Sequence, residues 1–294
     1  MALPETAPGA SARAIQEHYD AGNDFFALWL DPTLSYSCAM WKGPEDDLHC
    51  AQLRKIDYHL AQVGAGPTTH LLDIGCGWGG VLRRAAEHWG VARAVGLTLS
   101  QAQLEHVSNA CGPGVQAMLR HWAEYETQDV FDGIISIGAF EHFAKFGDSE
   151  EQKLESYRRF FQHCHTQLAP GGRVSLQTIA YGDVARGHIP SDLFIANEVF
   201  PESDLPRLAD ITQAAETLFE VERVRNDRHD YARTLRCWFE TLRAKREVAL
   251  NLVGDAVVER YERYLRMFAY GFQLGSLALY RVTLRRIDRS RVVG

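Results

Sequence analysis

The chain has 294 residues, 46% of them apolar and 23% charged, with a formal net charge of −7. That is a globular profile; no apolar run reaches the roughly 20 residues of a membrane span, and the acidic balance argues against nucleic acid as the main partner. Six scattered cysteines without Cys-x-x-Cys spacing argue against a disulfide scaffold and for a reducing, cytoplasmic setting.

Residues 1–13 are rich in Ala and Pro and are expected to form a disordered tail, with no basic or apolar leader of the secretory kind. Residues 14–65 carry helical patterns interrupted by the turn-like Leu30-Asp31-Pro32-Thr33, a helical cap. From Thr69 a strand–helix rhythm begins. Thr69 to Ile74 is the first strand, followed by a glycine turn and a helical run from Val81 to Trp89. Ala92 to Leu97 is the second strand, with a helix from Ser100. Val115 to Leu119 and Gly133 to Ile137 are the third and fourth. A helix from about Glu150 to Leu168 contains His163-Cys164-His165, which has metal-ligand residue types; adjacent helical residues point different ways, so no metal site is expected. Arg173 to Ile179 is a fifth strand after the Pro170-Gly171-Gly172 turn. Pro190 to Leu218 reads as a lid, and Phe219 to Asn226 as a sixth strand. Helices over Tyr231 to Leu242 and Ala256 to Phe272 precede a final strand, Leu277 to Arg285. The basic end (Arg285, Arg286, Arg289, Arg291) reads as a solvated tail. The alternation predicts one α/β domain over residues 14–294: a cap at 14–65, a Rossmann-like core at 66–182, and a lid with C-terminal helices and strands at 183–294. Its sheet is mostly parallel, with helices on both faces.

Open parallel sheets bind ligands at the carboxyl ends of their strands. Three such ends should share one crevice: Asp73-Ile74-Gly75-Cys76-Gly77-Trp78-Gly79, Gly96-Leu97-Thr98-Leu99-Ser100 and Ile137-Gly138-Ala139-Phe140-Glu141-His142-Phe143. Glycines at alternate positions let backbone N–H groups approach a small ligand. The spacing Asp-x-Gly-x-Gly-x-Gly lacks the Gly-x-Gly-x-x-Gly of a dinucleotide fingerprint. It suits a ligand without a pyrophosphate, and S-adenosylmethionine fits. A glycine turn in some other α/β protein competes with that reading.

With these segments placed, the chain resembles the cyclopropane fatty acid synthases, and most of all the short mycolic acid cyclopropane synthases, within the class I S-adenosylmethionine-dependent methyltransferases. The resemblance runs from about Ile15 to Phe272. It also rests on His18-Tyr19-Asp20 with Asn23-Asp24-Phe25-Phe26, on Tyr36-Ser37-Cys38-Ala39, on Tyr231-Ala232-Arg233-Thr234-Leu235 with Trp238, and on Tyr261-Glu262-Arg263-Tyr264. It implies a seven-stranded fold with a helical lid. It further implies that Tyr36, Ser37, Asp73, Gly75, Gly77, Thr98, Leu99, Gln103, Trp122 and Ile137 bind the cofactor. No acid follows the second strand to hold a ribose, so Thr98 and Gln103 offer neutral hydrogen bonds instead. Trp122 matches the adenine-stacking tryptophan, although the family's neighbouring acid is Ala123 here. Read without the family, Gln103 is a helix-surface residue and Tyr36 and Ser37 are turn residues.

In the family, methyl passes to an alkene carbon, a poor nucleophile that demands a dry site stabilising positive charge. The resemblance places Cys38, Glu141, Tyr231 and the backbone at Ile137 and Gly138 around a bicarbonate that takes the departing proton. His142 is a candidate second acid or base. By themselves Cys38 is a small buried hydrophobe and Tyr231 a packed helix-start residue, whereas for Glu141 its place at a strand end in the crevice favours function over a buried structural acid. Two positions depart from the pattern. Gln177 stands where the family has His before Thr-Ile, and glutamine cannot shuttle a proton, which puts bicarbonate in question. Ala278-Leu279-Tyr280 replaces a glutamine-containing strand. The chain lacks the long N-terminal domain of phospholipid-acting synthases, so an unsaturated lipid or acyl chain other than bulk phospholipid is expected, with at most peripheral membrane contact. Methylation of a small specialised metabolite at carbon or nitrogen is the alternative. A non-catalytic binding module would require a degraded turn or lost acids, whereas Asp73, the turn glycines and Glu141 are all present. The oligomeric state is not legible.

Overall fold

A computed structural model describes residues 9, 11, 16, 21–184 and 202–288. Strand β1 (His70–Ile74) is buried along its whole length, as a central parallel strand must be. It pairs in parallel with β2 (Arg93–Thr98) on one side and β4 (Phe131–Ile137) on the other. Strand β3 (Val115–Leu119) lies parallel beyond β2, and β5 (Leu168–Tyr181) parallel beyond β4. Strand β6 (Phe219–Asn226) forms the far edge, and β7 (Leu277–Arg286) inserts antiparallel between β5 and β6. The order is β3-β2-β1-β4-β5-β7-β6, the mostly parallel seven-stranded sheet expected. Strand order reverses between β1 and β4, which opens a crevice above their carboxyl ends.

Helix α1 (Asn23–Trp29) ends at the Leu30–Thr33 turn, where the Asp31 carboxylate accepts from Thr33 N and Oγ1 at 3.0 and 2.8 Å. Helix α2 (Leu48–Gln62) begins at Asp47, whose side chain accepts from Cys50 N and so satisfies an orphan donor of the first turn. Helix α3 (Gly80–Trp89) follows Gly79 in the left-handed region, and α4 (Gln101–Ala110) is capped by Ser100. Helix α5 (Glu150–Gln167) starts with a Ser149–Gln152 capping box. Helix α6 (Leu208–Ala215) buries Ile211, Ala214 and Ala215 in the same core as Phe161 of α5. Helices α7 (Arg228–Ala244), α8 (Arg246–Val253) and α9 (Asp255–Leu274) build a second, aromatic-rich core with α1.

The differences from the expected elements have local causes. β5 begins at Leu168 rather than Arg173, because Leu168 pairs with Phe131 across a register shift that absorbs the Pro170-Gly171-Gly172 turn. Helix α8 had no readable signature: it buries only Ala249, so no apolar stripe marks it. Part of the stretch read as a lid is α6, packed into the core; its residues 190–201 lie outside the described residues, as do His18-Tyr19-Asp20, Arg289 and Arg291. Cys164 is fully buried while His165 reaches the Ile287 carbonyl, so the expected divergence of His163-Cys164-His165 holds. Among the described residues, no helix is long and apolar enough to cross a membrane.

Candidate active site

The crevice contains a cleft, partly open to solvent, with a cavity volume of about 130 Å³. All ten residues expected at the cofactor line it: Tyr36, Ser37, Asp73, Gly75, Gly77, Thr98, Leu99, Gln103, Trp122 and Ile137. Gly75 has φ +83, and a Cβ there would meet the Ala139 Cβ at 2.6 Å. The turn therefore needs glycine for both conformation and space. Thr98 Oγ1 donates to Gln103 Oε1 at 2.7 Å and accepts from Ser100 N. This ties the end of β2 to α4 and leaves the Gln103 amide nitrogen, buried, without a partner among the described residues. Asp73 Oδ2 is likewise buried and unpartnered, and burial pushes its carboxyl up to about 7. Buried polar groups cost free energy unless bonded. Two orphans in one glycine-walled cleft therefore fit a ligand that carries both a cation and hydrogen-bonding hydroxyls, as S-adenosylmethionine does. Trp122 sits in a short 3-10 turn (Trp122–Glu124) and packs edge-on against Phe160, its ring also bordering the cleft.

Of the residues expected at the chemistry, His142 lines the cleft; its Nδ1 lies 2.7 Å from Ser203 Oγ, and desolvation lowers its proton affinity. Cys38, Glu141, Gln177 and Tyr231 are buried and are not among the residues that line the cleft. Glu141 lies in the 3-10 turn Phe140–His142 after β4, where Oε1 accepts from Ile179 N at 2.7 Å and Oε2 has no partner among the described residues. Burial pushes its carboxyl up to about 7, against the lowering effect of the Ile179 N–H. Cys38 is a neutral thiol, pushed up to about 12 by burial, and it donates to its neighbour's carbonyl, Ala39 O. Tyr231 opens the buried face of α7, its ring 4.6 Å from that of Phe272.

Gln177 pairs in register with Ile137 on one side and Arg281 on the other. Its Oε1 accepts from Arg281 Nε at 2.8 Å and lies 3.4 Å from His59 Nε2. Arg281 is fully buried: its guanidinium pairs with Asp227 and donates to the Cys38 and Ala39 carbonyls at 3.2 and 3.1 Å. The position that departs from the family pattern is thus the acceptor for a buried cation, and Arg281 stands beside the Ala278-Leu279-Tyr280 departure. Sequence reasoning missed Arg281, His59 and Lys55. For the last two a signal existed. Gln52, Lys55 and His59 recur at helical spacing among Ala51, Ile56 and Leu60, a polar ridge on the buried face of α2. Gln52 Nε2 holds the Ser37 carbonyl at 2.9 Å, Lys55 Nζ holds Ser37 Oγ at 3.0 Å, and His59 Nδ1 meets Ser175 Oγ at 2.7 Å. For Arg281 no periodic signal existed, since a charge in a buried strand contradicts the pattern that defines the strand.

Comparison with known proteins agrees with this geometry. The family model described as mycolic acid cyclopropane synthetase matches residues 7–282. Cyclopropane mycolic acid synthase 1 of Mycobacterium tuberculosis is 35% identical over 288 residues, covering 92% of this chain and 96% of that protein. The solved structure of the cyclopropane synthase MmaA2 from Mycobacterium tuberculosis superposes with TM-score 0.85 at 34% identity, covering 95% of this chain and 99% of that one. The crystal structure of the mycolic acid cyclopropane synthase CmaA1, complexed with SAH and CTAB, gives TM-score 0.84 at 34% identity over the same shares. This chain belongs to the mycolic acid cyclopropane synthetase family and is an S-adenosylmethionine-dependent methyltransferase.

Proposed function

We propose that the chain methylates an alkene carbon of an unsaturated lipid or acyl chain, giving a cyclopropane or a methyl branch. The observation that carries this reading is Glu141. It is a buried carboxyl at the end of β4 with one oxygen fixed by Ile179 N and the other unpartnered among the described residues. Held there, it can bond the group that removes a proton from the substrate, or place negative charge beside a developing cation. The CTAB held by the related CmaA1, a single-chain amphiphile, supports the same substrate class.

S-adenosylmethionine supplies an electrophilic methyl group when bound. In this proposal the glycine turn, Asp73, the Thr98–Gln103 pair and Trp122 orient it, and Tyr36 and Ser37 close over its methionine end. Bicarbonate, as proton acceptor, would sit among Cys38, Glu141, Tyr231 and the backbone at Ile137 and Gly138. Gln177, with its oxygen committed to Arg281, has only its amide N–H groups left to offer such an anion. His142 would remain a secondary acid or base at the cleft wall. Purified protein incubated with methyl-labelled cofactor and a whole extract of its host cells, holding both lipids and water-soluble metabolites, tests the proposal by mass spectrometry. Label in an acyl chain supports it; label confined to a water-soluble metabolite overturns it.

A further inference from the structure

We propose that Arg281 is a positioning residue for the methyl transfer. It fixes the Gln177 carboxamide and the Cys38–Ala39 backbone against the start of α7, so that the segments bearing Cys38, Gln177 and Tyr231 keep one spacing around the reacting atoms. The inference rests on those residues meeting the substrate, as in the function proposed above.

Arg281 is fully buried on β7, opposite Gln177 of β5. A buried guanidinium is costly unless its N–H groups find acceptors, and here the acceptors come from elements far apart in the chain. Nε donates to Gln177 Oε1 at 2.8 Å, and Nη1 pairs with Asp227, the residue immediately before α7. Nη2 donates to the Cys38 and Ala39 carbonyls at 3.2 and 3.1 Å and lies 3.6 Å from Cys38 Sγ. The hold extends to Tyr231, whose backbone N–H donates to the Asp227 carbonyl at 3.2 Å. Each of the three residues expected at the chemistry is therefore bonded to the guanidinium or one hydrogen bond removed from it. Arginine has donors only, so it compels Gln177 to present its oxygen and leaves the amide N–H groups to face a ligand. Neutralising Asp227 does not by itself require Arg281, because Arg225 already pairs with that carboxylate at 3.0 Å. Lysine could supply the charge, but its ammonium is a point rather than a fork and could not span these acceptors.

The competing role is a structural brace, which would change stability and leave the chemistry alone. The test follows methyl transfer from labelled S-adenosylmethionine into the lipid fraction of a host-cell extract, both saturating. S-adenosylhomocysteine affinity and melting temperature are measured beside it. Arg281→Lys keeps the charge and should lower the melting temperature less than half as far as Arg281→Met does. It should hold S-adenosylhomocysteine affinity within about twofold and still slow transfer by about tenfold or more, because small misplacements of reacting groups are costly. Gln177→Met should slow transfer to a similar degree. In the double variant the two losses should not multiply, as for residues that act through one another. Transfer at the native rate in Arg281→Lys overturns the proposal, and so do losses that multiply in the double variant. A slower transfer matched by an equal loss of S-adenosylhomocysteine affinity would mean bracing of the whole cleft and also overturns it. If Arg281→Lys does not fold, Gln177→Met decides: slower transfer at native cofactor affinity supports the proposal, and a native rate overturns it. If the native chain puts no label into lipid, the proposed function itself fails, which is a distinct result.

Discussion

The cofactor half of the cleft hangs on short segments that follow β1, β2 and β4. The reaction half is knit from contacts such as Arg281 to Gln177 and Arg281 to Cys38, which span 104 and 243 residues of chain. In the first half the backbone supplies the geometry: a strand end, a glycine turn, a capped helix. In the second, side chains hold one another around a fully buried arginine. A site of the first kind tolerates changes outside its motif. A site of the second kind is only as firm as its network, because each member leaves a buried charge or donor exposed to solvent-poor surroundings when its partner is lost.

Five measurements would sharpen or break that contrast, beginning with the largest effect. Arg281→Met leaves Gln177 Oε1 and the Cys38 and Ala39 carbonyls without their buried donor, while Asp227 keeps Arg225, and should cost about 3 kcal/mol of unfolding free energy. Denaturant titration checks this; an unchanged unfolding free energy would mean that the arginine is not what holds the region. Glu141→Gln should lower turnover by about a hundredfold or more while S-adenosylhomocysteine affinity stays within about twofold. A parallel loss of affinity would move Glu141 into the cofactor half. Gly75→Ala forces a Cβ against Ala139 at φ +83, and should lower the unfolding free energy by about 1–2 kcal/mol and also weaken S-adenosylhomocysteine binding. An affinity equal to that of the native chain would show that the turn is not the cradle.

The fourth test uses pH. Asp73 and Glu141 are both raised to about 7, from 3.8 and 4.5 in the unfolded chain, by burial. The folded state therefore holds protons that the unfolded state releases first. The stabilisation is complete below about pH 4 and is lost as pH rises towards about 7, as proton linkage requires. The melting temperature of the ligand-free protein should carry this falling component, and Asp73→Asn should flatten it. An unaltered profile in Asp73→Asn would count against a buried, unpaired Asp73. The smallest effect is expected from Gln177→His. Because the Gln177 oxygen anchors Arg281, histidine should shift product towards cyclopropane, or increase bicarbonate dependence, only modestly unless Arg281 is also replaced. Product analysis by mass spectrometry decides this; no shift in either variant would remove Gln177 from control of the product.

Strand periodicity and turn chemistry are local properties, and they were enough to locate β1, β3, β6, the starts of α4 and α5 and the glycine turn within a residue or two. They failed at α8 and at the start of β5, where burial of a single alanine and a pairing across a register shift left no pattern in the chain. The same divide runs through the site. Asp73, Gly75 and Gly77 follow from spacing, because a strand end and the alternate glycines after it constrain where the backbone goes, whereas Gln103 by itself reads as a helix-surface residue. Cys38, Tyr231 and Gln177 entered through family resemblance, and their own residue types favoured plain packing. Lys55 and His59 show in the chain only as polar residues at helical spacing, and Arg281 became visible only with the tertiary structure. The sequence by itself determined the order of strands and helices and the segment that meets the cofactor, since backbone conformation answers to neighbouring residues. Only the folded chain decided which buried charges face one another, because their energies depend on partners brought together from distant segments and on the removal of water around them.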